Sequence, residues 1–152
     1  MFNIVLVEPE IPQNTGNIAR TCACTGTRLH LIKPFKFEIN DKTLKRAGLD
    51  YWDKLEVFSY ECLDDFFAKN KGEYFYCETS GGKMYTEISY PPDCYLFFGK
   101  ETTGLSKQLL ESNPDKVIRI PMGEKLRSLN LSNAAAIVLY EALRQHGFLG
   151  LD

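Results

Sequence analysis

No stretch of this 152-residue sequence approaches the run of about 18 apolar residues that a membrane-spanning helix needs, so that class of fold is excluded. Positive charge is not in excess either. Eighteen Lys and Arg stand against 20 Asp and Glu, a formal net charge of −2, which argues against a protein that grips nucleic acid by bulk charge alone. Histidine is scarce, with only His30 and His146. The five cysteines (Cys22, Cys24, Cys62, Cys77, Cys94) are odd in number, scattered and mostly set in apolar runs, which argues against a disulfide framework and reads them as small core residues. Cys22 and Cys24 sit two positions apart in a helical stretch and therefore point to different faces, so no zinc or other metal site is expected. The opening residues Met1 to Glu8 lack the basic flank and small-residue cleavage site of a secretory signal and read as a buried strand, which gives a cytoplasmic expectation. Repeats, low-complexity segments and linkers are absent, and the length is that of one domain spanning residues 1–152.

What is present is an alternation of short Val-, Ile-, Phe- and Tyr-rich runs with helical segments, the pattern of an α/β fold whose mostly parallel sheet is covered by helices on both faces. Strands are predicted at Ile4 to Val7, Leu29 to Ile32, from Val57, Tyr74 to Cys77, Cys94 to Phe98 and Val117 to Ile120. Helices are predicted from about Asn14 to Gly26, at Asp41 to Ala47 with Gly48 as its stop, at Leu63 to Lys69, at Ser106 to Glu111, and from about Ser132 to Gln145. Turn residues at Ser80-Gly81-Gly82 and Pro91-Pro92-Asp93 make the stretch between them a surface excursion.

Three segments carry more polar detail than a scaffold needs. Glu8 to Arg20, E-P-E-I-P-Q-N-T-G-N-I-A-R, follows the first strand; Asn14 and Gly16 can cap the helix, and Arg20 falls on a neighbouring helix face to Asn14. Alone it reads as a capped helix with a solvent-facing arginine. Phe97 to Ser106, F-F-G-K-E-T-T-G-L-S, lies where an open α/β sheet binds ligands, at the carboxyl end of a strand. It is neither a Walker A loop nor a dinucleotide fingerprint, and Glu101 suits both a ligand-orienting carboxylate and the helix dipole. Ile118 to Ile137 crowds Ser128, Asn130, Ser132 and Asn133 before an Ala-rich helix that needs only one cap. Basic clusters stand at Lys42, Lys45 and Arg46 and at Arg119, Lys125 and Arg127, with Lys33 and Lys36 nearby; ordinary solvated faces look the same.

In this order and spacing the three segments closely resemble the SPOUT superfamily of RNA methyltransferases, over essentially the whole chain. The matching residues are Asn14, Gly16, Asn17 and Arg20; Phe98, Gly99, Glu101, Gly104 and Leu105; and Ile120, Pro121, Ser128, Leu129, Asn130, Ser132 and Asn133. The short length, the opening N-I-V-L-V-E-P-E-I-P-Q-N-T-G-N-I-A-R and the mid-chain R-A-G-L-D-Y-W, Arg46 to Trp52, look like the minimal branch that methylates the ribose 2′-hydroxyl of the tRNA wobble nucleotide.

The resemblance implies a C-terminal trefoil knot, which the rule against threaded loops would not have suggested. It also implies a homodimer, S-adenosylmethionine held in the knot, and an active site completed by the partner chain. The cofactor would lie against Cys77, Glu78, Thr79, Gly99, Ile120, Met122, Ser128 and Leu129. Arg20 would act on the ribose hydroxyl, with Asn14, Glu101 and Asn130 as its catalytic company, and no metal is called for. The tRNA anticodon stem-loop would meet Lys42, Lys45, Arg46 and Arg127. Two rivals remain at this stage: a noncatalytic RNA-binding factor of the same fold, and a methyltransferase for ribosomal RNA or a base nitrogen.

Overall fold

The computed structural model describes residues 1–38, 51 and 54–152. The basic helix expected at Asp41 to Ala47, and with it Lys42, Lys45 and Arg46, lies outside the described residues. The described chain runs β1 (Asn3–Val7), α1 (Pro12–Thr25), β2 (Arg28–Ile32), β3 (Val57–Tyr60), α2 (Leu63–Lys69), β4 (Tyr74–Cys77), β5 (Lys83–Met84), β6 (Tyr95–Phe98), α3 (Lys107–Glu111), β7 (Val117–Arg119) and α4 (Leu131–Gln145). Short 3-10 turns at Tyr85–Glu87 and Pro114–Lys116 follow β5 and precede β7.

The strands form one sheet in the order β3-β2-β1-β6-β4-β7-β5, and every pairing is parallel. All five residues of β1 are buried, as a central parallel strand covered on both faces requires. Because side chains alternate along a strand, Ile4 and Leu6 join one core layer while Val5 and Val7 join the other. The first layer packs under Ile18, Ala19 and Cys22 of α1 and Ala135, Val138, Leu139, Ala142 and Leu143 of α4. The second is an aromatic layer around Phe66 of α2, with Tyr60, Tyr76 and Phe97. No helix among the described residues is long and apolar enough to cross a membrane.

Three expectations need correction. The stretch from 80 to 93 is not merely a surface excursion: Lys83–Met84 adds edge strand β5 beside β7, and Ile88 and Tyr90 are buried in the α1–α4 layer. Helix α1 is not capped by Asn14 or Gly16. It starts at Pro12, whose fixed φ and missing N–H suit a first helical position, after Ile11, which makes no side-chain cap. The cysteines are free, but Cys24 and Cys62 are exposed rather than core residues.

One buried polar group sits inside the second layer's rim. His30 hydrogen-bonds through Nδ1 to the Tyr60 hydroxyl (2.9 Å) and through Nε2 to Asn3 Oδ1 (3.1 Å). Asn3 uses its Nδ2 to donate to the carbonyls of Asp93 and Cys94, so its oxygen must accept. His30 is therefore protonated on Nε2, and Tyr60 donates to the bare Nδ1. Burial, aided by the nearby Arg28 charge, pushes the imidazole pKa down from 6.5 to about 4. The native state holds the ring neutral while the unfolded chain takes up a proton below about pH 6.5, so this stabilisation is complete above that value and is lost as pH falls toward about 4. Urea unfolding is expected to show a loss of about 2 kcal/mol between about pH 7 and about pH 5, attributable to this group. A His30→Gln variant should lack that component, and an unchanged pH profile in the variant would remove His30 as its source.

Candidate active site

The polar loops that follow β1, β6 and β7 meet at the carboxyl ends of the strands, where an α/β sheet leaves its ligand crevice. A cleft of about 460 Å³ opens there, within the range of about 300–1,000 Å³ typical of small-molecule sites. Its lining comes from the ends of β4 and β6, from the Gly99–Gly104 loop, and from residues between Ile120 and Ala134.

A run of hydrogen bonds ties the three loops together. Glu101 accepts from the backbone N–H of Glu10 (2.8 Å) and Ile11 (3.0 Å) and from Asn14 Nδ2 (3.2 Å). Its carboxylate thus sits at the amino end of α1, where the helix dipole favours negative charge and where Ile11 offers no cap of its own. Asn14 Oδ1 in turn accepts from Asn130 Nδ2 (3.0 Å). Asn130 Oδ1 then accepts from the Ser132 N–H (2.9 Å), the Ser132 hydroxyl (2.6 Å) and the Asn133 N–H (3.4 Å), capping α4. Each amide donates one way and accepts the other, so Glu101, Asn14 and Asn130 form a single directed chain.

Glu10 closes a second clasp, accepting from the Thr102 N–H (3.0 Å) and hydroxyl (2.7 Å). The Thr102 hydrogen bonds hold the Glu10 carboxyl below the usual glutamate range. Nothing in the sequence signalled this pair, because its members are far apart in the chain and each is an ordinary loop residue. Two glycines allow the Gly99–Gly104 loop to fold tightly. A Cβ on Gly99 would overlap the backbone of Gly104 and Leu105; one on Gly104, at φ +70, would overlap the Glu78 carboxylate. That carboxylate accepts from the Leu105 N–H (3.0 Å) and the Thr79 N–H (3.0 Å), fixing the loop against the end of β4.

Every residue expected to bind cofactor lines this cleft: Cys77, Glu78, Thr79, Gly99, Ile120, Met122, Ser128 and Leu129. Asn14, Glu101 and Asn130 line it too, as does Arg127, expected from sequence to meet RNA. Phe98, Lys100, Thr102, Thr103, Leu131 and Ala134 join them. Burial raises the Cys77 thiol to about 12, so it stays protonated and is a poor nucleophile beside the cleft. Arg20 is not brought in. It is exposed on α1, outside the lining, with its guanidinium 5.7 Å from the centre of the Tyr51 ring. Lys33 is paired with Glu61 (2.8 Å), and Lys36 is exposed. No cluster of three or more metal-ligating side chains occurs among the described residues.

A parallel α/β sheet with a ligand cleft built from three hydrogen-bonded loops at its carboxyl edge defines a small-molecule-using enzyme rather than a charge-driven binder. Residues 1–140 match the model of the SpoU rRNA Methylase family, and the chain belongs to that family. It is 52% identical over 152 residues to a protein of Saccharophagus degradans named tRNA (cytidine(34)-2′-O)-methyltransferase, with 99% of each chain covered. A solved structure titled for the 2-OH methylation of C/U34 on tRNA superposes with a TM-score of 0.92 at 39% identity, covering 97% of each chain. An AdoMet-bound rRNA methyltransferase from Sinorhizobium meliloti superposes with a TM-score of 0.78 at 25% identity, covering 94% of this chain and 56% of that one.

The cleft suits S-adenosylmethionine. Ile120, Met122, Leu129, Leu131 and Ala134 offer apolar surface for a flat purine, and Glu78, Thr79, Ser128 and the loop backbone at Gly99 offer polar groups for a ribose and an amino acid tail.

Proposed function

We propose that this chain transfers the methyl group of S-adenosylmethionine to the ribose 2′-hydroxyl of the wobble nucleotide, cytidine or a modified uridine, in the anticodon loop of tRNA. The observation that carries the reading is the directed chain Glu101–Asn14–Asn130, which joins the three loops around one cofactor-sized cleft. Near-complete coverage at 52% identity by a protein named for that reaction supports the substrate. S-Adenosylmethionine supplies the electrophilic methyl on a good leaving group. The residues of the chain have two tasks, aligning the hydroxyl and easing the loss of its proton.

Cys77, Glu78, Thr79, Gly99, Ile120, Met122, Ser128 and Leu129 hold the cofactor, largely through backbone groups. Asn14, Glu101 and Asn130 fix the loops in register. Arg20 acts on the hydroxyl: a guanidinium offers donors and no acceptor, so it stabilises the developing alkoxide, and the proton leaves to phosphate or water. Because Arg20 lies outside the cleft of its own chain, we read the working form as a homodimer in which Arg20 serves the cleft of a second copy. The trefoil knot belongs to the same reading, as does a cytoplasmic location. Lys42, Lys45, Arg46 and Arg127 are the candidates for the RNA surface.

The test is incubation with labelled S-adenosylmethionine and tRNA, both unmodified and cellular, followed by mapping of the label. The expected product is a 2′-O-methyl ribose at the wobble position. Cofactor binding without label in either pool would sink the enzymatic reading, and label confined to a base or to another position of the tRNA would sink the substrate assignment.

A further inference from the structure

A second cavity, of about 390 Å³, adjoins the cofactor cleft on the other side of the Gly99–Gly104 loop. It is lined by Val7 and Glu8 at the end of β1, by Leu63, and by Lys100 and Thr103 to Lys107 after β6. Lys100, Thr103 and Gly104 line both cavities, so this loop is a shared wall.

Its place in the sheet is informative. Strand β1 has β2 on one side and β6 on the other, and the chain leaves β1 toward β2, so the crevice between the ends of β1 and β6 is the switch point at which open α/β sheets bind ligands. The backbone is strained there. Glu8 has φ +52, a conformation that costs energy for any residue but glycine and that persists where the surroundings hold it, often at ligand sites. The charges are paired only loosely. Lys100 Nζ stands 3.6 Å from Glu8 Oε2, an ion pair too long for a hydrogen bond, with 34% and 36% of the two side chains exposed. Lys107, 88% exposed, is 3.7 Å from Glu111.

We propose that this cavity receives an unpaired nucleotide of the RNA substrate, its phosphate held by Lys100 and Lys107 and its base edge by Glu8. The lining matches that chemistry in each part. Leu63, beside the largely buried Val7 and Leu105, gives an apolar contact for the face of a base, and the ammonium groups suit a phosphate. The Glu8 carboxylate accepts from an amino or imino N–H on a base edge, as acidic side chains do with cytosine. A strand whose ribose is presented to the cofactor reaches the cavity by crossing one loop. A second cofactor is a poorer occupant, because the site has no counterpart of the apolar group Ile120, Met122, Leu129, Leu131 and Ala134 that lines the first cleft.

The proposal rests on RNA being the substrate, so the test separates the two ideas. Wild-type enzyme, Lys107→Ala and Glu8→Gln are compared on an RNA anticodon stem-loop with cytidine at the wobble position, with S-adenosylmethionine affinity measured by calorimetry. Both variants are expected to raise KM for the RNA about tenfold. Cofactor affinity should stay within about twofold, and Lys107→Ala should lower the slope of log affinity against log salt by about one. If either variant leaves KM for the RNA unchanged, or if either loses cofactor affinity instead, the nucleotide assignment falls. Failure of the wild-type enzyme to methylate any RNA would instead overturn the proposed function. Lys107 is almost fully exposed and Gln matches Glu in size, so both variants should fold.

Discussion

Arg20→Ala is expected to leave S-adenosylmethionine binding intact while lowering kcat about 10²–10³-fold, the loss found when a preorganised donor to a developing oxyanion is removed. The direction follows from placement. Arg20 lies outside the cleft, so its loss removes nothing that touches the cofactor in its own chain. Calorimetry for cofactor affinity and single-turnover kinetics at saturating cofactor read the two effects separately. Weakened cofactor affinity with normal turnover at saturation would refute the role. Lysine should restore only part of the rate, because a point charge does not reproduce the guanidinium fork. Tyr51 enters the same experiment as a positioning residue, since its ring lies under the guanidinium at 5.7 Å. Tyr51→Phe keeps the ring and should keep kcat, whereas Tyr51→Ala should lower kcat about two- to fivefold with the cofactor affinity unchanged.

Gly99→Ala should abolish cofactor binding and destabilise the fold by about 3 kcal/mol. A Cβ at Gly99 meets the Gly104 and Leu105 backbone, which has no flexible side chain to yield. Relief requires opening the 99–104 loop, and that loop carries Leu105 N–H to Glu78, Thr102 to Glu10 and Glu101 to the start of α1. One methyl group therefore disturbs both clasps. Denaturant unfolding and calorimetry with S-adenosylmethionine check the two parts; near-normal cofactor binding by a folded Gly99→Ala protein would show that the loop can adapt. Gly82, whose added Cβ would meet nothing within 4 Å, is the control, and Gly82→Ala should be close to neutral.

Much of the scaffold was legible because its signals are local. The apolar runs at Ile4, Leu29, Tyr74 and Tyr95 are strands, and Gly26 ends α1 in the left-handed conformation expected of a C-terminal glycine. Edge strand β5 was not legible: Lys83 and Met84 are exposed and pair with β7 only through contacts distant in sequence. The start of α1 was misread because Asn14 is a good cap by residue type, yet Pro12 sets the helix origin and Glu101, distant in the chain, takes the capping task. For the site, motif order picked out residues that the structure brings to one cleft, since each loop leaves the same edge of the sheet. Helix geometry did less well with Arg20. Six residues along α1 turn it by about 120° from Asn14, enough for one side chain to be buried in the loop junction and the other to face outward.

The central position of β1 also governs when the molecule can form. Asn3 faces Arg28 on one side, a partner close in the chain, but Tyr95 on the other, and α4 seals the layer above it from the far end of the sequence. During synthesis β1 therefore emerges before β6 and α4, and stays half-covered until both have left the ribosome. Parallel pairing over such separations makes for slow closure, and the interval leaves β1 open to association with other nascent chains. Yield in the cell should accordingly respond to chaperone capacity more than to the stability of the finished fold.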